Sequence, residues 1–304
     1  MIDPLITVLT QVFGFGSPFC PLYLLGAFVL ACVWVRHKQG LSWQEACRLL
    51  VRSLGVNPRQ LRTDFLCAIF QLLVLKFPIG ALHLWLFHQC YRVIAPIRLD
   101  HGWTLQWPEA IEILWVSAIT MLAIDFGAYL MHRWMHEKPW IWWIHAFHHS
   151  AETLTPLTTF RQHPLEPLLM HGSRGVAAGL TLGTLHAIWD QHTPVLTIYG
   201  MGLGFFIYMF TVNLHHAPLP IRYPRWLAAW LISPHIHHIH HSQAREHINV
   251  NYGVVFSLWD RLFGTYRDAE VGIGELRFGL APNTDDDDSW HRRVKDQTEE
   301  LLSR

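Results

Sequence analysis

Five apolar stretches alternate with polar ones along this chain, at residues 18–35, 64–87, 110–131, 174–189 and 194–213. A bilayer core takes about 20 helical residues to cross, so the first three have the length of spanning helices. The last two are joined by a short polar link, Asp190–Thr193, and read as a helical hairpin, spanning or re-entrant. Between the first two lies a polar stretch, 36–63, in which Arg36, Lys38, Arg48, Arg52, Arg59 and Arg62 face a single acid, Glu45. The positive-inside rule places this loop in the cytoplasm and the N-terminus outside. Residues 88–110 carry only Arg92 and Arg98 as cations and fit the outer side. The third run then returns to the cytoplasm and ends on His132. Lys76 sits near the middle of the second run with Pro78 just after it: either the helix breaks at Pro78 and Lys76 snorkels outward, or Lys76 pairs inside the bundle.

This pattern predicts an all-α membrane protein of four to five transmembrane or re-entrant helices with a cytoplasmic, helical, histidine-rich metal domain. Residues 1–109 hold the N-terminal spans and basic loop, 110–268 the metal domain with its hairpin 174–213, and 269–304 a polar tail. The first Lys or Arg is Arg36, so a cleaved signal with a basic leader is not expected, and the first run should stay as an anchor.

Composition points to the same solvent. With 51% hydrophobic and 15% charged residues and 15 tryptophans, the chain suits a bilayer better than water. Its formal net charge of zero leaves no field to recruit nucleic acid. The five cysteines, at 20, 32, 47, 67 and 90, have no paired spacing and suggest neither a disulfide framework nor a thiolate metal site.

The polar residues that do occur near apolar runs are mostly histidines. His132 and His136 are one helical turn apart; His145, His148 and His149 form an HxxHH triplet, and His237, His240 and His241 form another. On a helix, positions i, i+3 and i+4 share a narrow arc, so each cluster points one way. Imidazole suits iron, zinc, copper or nickel, and eight rings are too many for one ion and right for two. His216 offers a further ligand. His238 and His235 fall off the face of their cluster. Asp125, two turns before His132, could accept a ligand ring N–H and offset the metal charge. In Phe160–Glu166 (FRQHPLE), His163 and Glu166 lie near the clusters; His163 reads as a metal ligand, a donor to a ligand or a turn residue before Pro164, the second being preferred. From 242 onward the chain should cap the metal domain.

Several chemistries are excluded or disfavoured. A zinc protease of the HExxH type needs a Glu where this chain has Arg133. There is no G-x-S-x-G elbow and no glycine-rich phosphate loop. A structural zinc site needs only four ligands. A histidine-lined metal transporter should place ligands within the bilayer depth, whereas these cluster at the ends of spans. Redox metal chemistry remains.

With these motifs in hand, residues from about 115 to 268 resemble the fatty acid hydroxylase and sterol desaturase superfamily of membrane di-iron enzymes. The likeness rests on an ordered set: an acid before HxxxH, HxxHHS, RxHPLE, a late His, SPxxHxxHHS, and NYG followed by WDRLFGTY. It implies His132, His136, His145, His148, His149, His237, His240 and His241 as ligands of two ferrous ions, with His216 beside them. The family often carries HxN where this chain has His216, Ala217, Pro218. Asp125, His163, Glu166 and Asn251 are expected to support the ligands. The resemblance further implies oxygen-dependent hydroxylation or desaturation of a lipid or sterol C–H bond, with ether-lipid monooxygenation as a variant. No haem-attachment CxxCH or dinucleotide fingerprint is found, so a separate electron donor is implied.

Overall fold

The computed structural model describes residues 21–53, 58–97, 108–189, 197–198, 201–202, 214–269 and 276–280. Helices α1 (Pro21–Gln39) and α2 (Trp43–Ser53) are separated by Gly40, whose positive φ of 65° suits a residue without a Cβ. Ser42 starts α2 through a reciprocal cap, its hydroxyl taking the Glu45 N–H while Glu45 accepts the Ser42 N–H. Ala27, Ala31, Cys32 and Val35 of α1 bury against Ala46 and Leu50 of α2, and against Leu214, Leu219 and Ile221 from much later in the chain. The apolar face of α1 thus packs beside the segment that carries His216, and much of the basic loop is helical.

Helix α3 (Pro58–Phe70), a π-helical turn (Gln71–Leu75) and α4 (Lys76–Ile94) form one continuous element of 37 residues. The break expected at Pro78 does not occur. Proline lacks the N–H owed to the carbonyl four residues back, and the widened turn just before it absorbs the misfit. Helix α5 (Glu109–Glu137) carries on past the end of its apolar run at 131. Among the described residues, these two helices are long and apolar enough to cross a membrane. Helix α6 (Pro139–His149) follows at once, with Pro139 in the first turn where its missing N–H costs nothing.

Helix α7 (Leu165–Trp189) packs along α4 and α5. Its small residues set the distance, since a Cβ at Gly175 would collide with the His83 carbonyl oxygen and one at Gly179 with that of Phe87. Helix α7 is the first arm of the expected hairpin. Of the second arm, 194–213, only residues 197–198 and 201–202 are described, and they pair as short antiparallel strands rather than helix. Thr197 and Ile198 are β-branched, which favours extended backbone.

Three short helices follow, α8 (Arg225–Ala228), α9 (Pro234–His240) and α10 (Leu258–Leu262). Residues 252–265 lie along the C-terminal half of α5, from Asp125 to His132. Asp260 accepts the Tyr252 and Gly253 N–H groups at 2.8 and 2.7 Å, and Asp125 on α5 accepts those of Val255 and Phe256 at 3.0 and 3.1 Å. The tail 281–304 lies outside the described residues.

Candidate metal centre

The three histidine clusters and His216 meet in one buried place, but not as three faces. They form two groups whose ring nitrogens lie within 4.8 Å of one another: His132, His136, His145, His149 and His240 in one, His148, His216, His237 and His241 in the other. Each HxxHH triplet is divided. The pair four apart, His145 and His149, joins the first group, while His148 turns to the second. His237 and His241 join the second, while His240 turns to the first. Successive helical residues are about 100° apart, so neighbours such as His148 and His149 can serve adjacent groups from one turn. The groups share a wall, with the His149 and His241 rings stacked at 4.4 Å.

Outer ring nitrogens fix the tautomers. His132, His148 and His240 donate from Nδ1 to the carbonyl oxygens of Tyr252 (2.7 Å), Arg161 (3.2 Å) and Val250 (2.8 Å). Carbonyls only accept, so each of these rings keeps a lone pair on Nε2. His145 Nδ1 meets Glu166 Oε1 at 2.9 Å, and His216 Nδ1 meets the Thr159 hydroxyl at 2.9 Å. Inside, Nε2 atoms crowd together: His132 to His145 at 3.0 Å, His145 to His149 at 3.2 Å, His216 to His237 at 3.0 Å and His216 to His148 and His241 at 3.3 Å. One proton on His216 cannot serve three such contacts. Two nitrogens bound to a common metal at about 2.0–2.1 Å lie about 2.9–3.4 Å apart for angles between 90° and tetrahedral, which is the spacing seen. Buried Nε2 atoms of His136 and His240 have no hydrogen-bond partner. The donor set therefore fits a metal in each group, and imidazole donors suit iron.

Burial holds these rings neutral. Desolvation lowers the pKa of His148 to about 3 and of His240 to about 4, and pushes His145, His149, His216, His237 and His241 well below the ordinary 6.5, aided by neighbouring rings. Burial likewise raises Glu166, and its Oε2 is unpartnered. A cation at the far side of His145 would favour the Glu166 carboxylate, so this pair suits a carboxylate–histidine–metal arrangement.

Asp125 and His163 bond groups other than the ligand rings, whereas Asn251 sits behind two of them. Asp125 bonds no ligand; besides two backbone N–H groups it takes Trp259 Nε1 at 3.1 Å, and so anchors the closing segment on α5. A carboxylate on an apolar helix needs donors, and the closing segment supplies three. His163 accepts the Leu165 N–H at 3.2 Å and packs on Trp143, as a residue opening a helix does. Asn251, at φ 56°, bonds the Ile236 and Arg267 backbones and thereby aims the Val250 and Tyr252 carbonyls at His240 and His132. His235 and His238 bond the Ala269 and Ala217 carbonyls, and His215 that of Ile232, outside both groups. Thr159, Arg161, Val250 and Tyr252 were not legible as partners, because three of them act through a carbonyl that any side chain could accompany.

Residues 117–265 match the fatty acid hydroxylase family. Among curated proteins, the chain is 28% identical over 173 residues to the ornithine lipid hydroxylase OlsE of Rhizobium tropici, covering 56% of this chain and 46% of that one. It is 31% identical over 152 residues to human alkylglycerol monooxygenase (50% and 30% of the two chains) and 29% identical over 185 residues to a Delta(7)-sterol-C5(6)-desaturase of Nicotiana tabacum (58% and 60%). The chain thus spans between about a third and three fifths of the length of these relatives. No solved structure matches it. The matched stretch runs from α5 through the Asp260 closing segment and contains all nine grouped histidines, so it is over the candidate metal centre that this chain is similar to the fatty acid hydroxylase family.

Proposed function

We propose that this protein is an integral-membrane, oxygen-dependent oxidoreductase that hydroxylates a C–H bond of a lipid, with iron in both histidine groups. The observation that carries the reading is the convergence of five and four buried ring nitrogens in adjoining groups. When bound, a pair of ferrous ions supplies the electrons and Lewis acidity for dioxygen chemistry that side chains cannot perform. The chain's own contribution is to hold that pair. Carbonyls of Tyr252, Val250 and Arg161 lock three rings, Glu166 balances charge at His145, and the nine rings, none more than 8% exposed, keep bulk water out.

A lipid substrate is supported by the relatives' names and by the exposed apolar faces of the adjoining helices, such as Leu84 and Trp85 on α4 and Ile111 and Leu114 on α5. An acyl or sterol chain could approach laterally from the leaflet. The basic stretch 36–63 supports a cytoplasmic metal centre, and a separate redox partner would dock on that face. Closed groups of ligands disfavour a metal transporter, which needs sites spaced along a path.

Desaturation is the second reading, favoured by the match to sterol desaturases, since the same ligand set would serve it. Lipid mass spectrometry of cells carrying the wild type or a His148→Ala, His149→Ala variant tests both. A product with one more oxygen supports hydroxylation and one lacking two hydrogens supports desaturation. Unchanged lipids with altered metal uptake would overturn the enzyme reading.

A further inference from the structure

Helix α3 precedes the family-matched residues, yet it grips the loop 150–162 that lies behind the second histidine group. Gln60 takes the Glu152 and Thr153 N–H groups at 3.1 and 3.2 Å and donates to the Thr153 carbonyl at 2.6 Å. Asp64, fully buried, accepts from Arg161 Nη1 at 2.9 Å. Arg161 in turn donates from Nε to Ser150 Oγ at 2.9 Å, with its guanidinium over the Phe147 ring. Gln71 opens the π turn and donates to the Phe160 carbonyl at 2.9 Å.

These contacts converge on two ligands. The Arg161 carbonyl receives His148 Nδ1–H, and the Thr159 hydroxyl meets His216 Nδ1. A buried carboxylate is costly unless paired, and here its partner is the residue whose backbone orients a ring. We infer that Asp64 is a positioning residue for the four-histidine group, acting through its ion pair with Arg161 to fix the backbone that holds His148. The same element also reaches the five-histidine group, but through Gln71 rather than Asp64: Gln71 donates to Gln162 Oε1 at 3.1 Å, and Gln162 donates to Glu166 Oε1 at 3.1 Å behind His145. The inference rests on the two-metal reading and assigns a metal-centre role to a residue outside 117–265.

The test is iron stoichiometry of the full-length chain in detergent, alone and in combination. Asp64→Asn keeps the shape and removes the charge, and is expected to lower bound iron from two towards one per chain. Adding His216→Ala should then lower it no further, because that group is already weakened, whereas adding His145→Ala should bring it towards zero. The remaining iron should show the Mössbauer signature of an isolated ion. Arg161→Lys, which retains the opposing charge but loses the donor to Ser150, should act in the same direction and serves if Asp64→Asn does not accumulate. Two irons retained in Asp64→Asn, or iron lost equally from both groups with a lowered melting temperature, would overturn the inference. A wild-type chain that binds fewer than two irons would instead sink the two-metal reading itself.

Discussion

Glu166 Oε1 and His145 Nδ1 lie 2.9 Å apart with both side chains almost wholly buried. The distance is that of an ion pair, yet burial pushes the histidine down and the acid up, which disfavours charge on both partners when no cation is near. Charge returns to the carboxylate only when a positive ion occupies the other side of the ring. The pair is therefore coupled to metal in the five-histidine group.

Glu166→Gln tests that coupling. The amide preserves size and can still meet Nδ1, while the charge that offsets the metal is gone. Metal affinity of the five-histidine group is expected to fall about 10- to 100-fold, as loss of such partners commonly does. Chelator competition on the purified variant measures it. Melting of the metal-free protein should change little, since burial already disfavours charge on the native acid there.

The division of each triplet gives a second expectation. His148 and His216 serve one group, whereas His148 and His149 serve different ones despite adjacency in the chain. Metal-binding losses in His148→Ala and His216→Ala should overlap, and those in His148→Ala and His149→Ala should be closer to independent. Sites that share a partner are non-additive, so a double-mutant comparison of iron retained per chain distinguishes the pairs. Equal coupling in both combinations would contradict the grouping.

Close packing of α7 gives a third. Gly179→Val puts two branches where the Phe87 carbonyl and the Cys90 side chain already sit. Overpacking of this kind costs about 1–3 kcal/mol, and here backbone must move. The melting temperature in detergent should fall, and Gly80→Ala on α4, with open space around it, should leave it nearly unchanged.

What could be read beforehand follows from which interactions have a local signature. Helical spacing marks His132 with His136 and both HxxHH triplets because ligand direction depends on the turn alone. The apolar runs likewise marked the apolar stretches of the continuous α3–α4 element and of α5, the two described elements long and apolar enough to cross a membrane. How the triplets are divided was hidden, since it depends on how α6 and α9 approach each other. Pro78 misled because a π turn three residues upstream, invisible in composition, takes up the strain. Asp125 misled in another way: its seven-residue spacing to His132 was right for one helix face, but the donors it binds come from residues 255–259, on a segment far away in sequence.

Acid should act on this fold mainly through the unfolded chain. An ordinary histidine titrates near about 6.5. Burial holds His148 at about 3, and His215, His238 and His240 at about 4, in the native state. Below about pH 6.5 the unfolded chain takes up protons at these positions while the native one does not. Because the unfolded state then binds more protons, stability falls as pH falls, and it keeps falling until the native rings themselves titrate near 4. Above 6.5 this contribution is fully present. The metal-free protein should accordingly melt at steadily lower temperature between pH 6.5 and 4. Metal should be retained to a lower pH than free imidazole would allow, and be released together with unfolding. Parallel measurement of melting temperature and chelator-accessible iron across that window checks both. Release of iron near pH 6.5 with the fold intact would show that the rings are open to protons in the native state and that the burial argument for this centre is wrong.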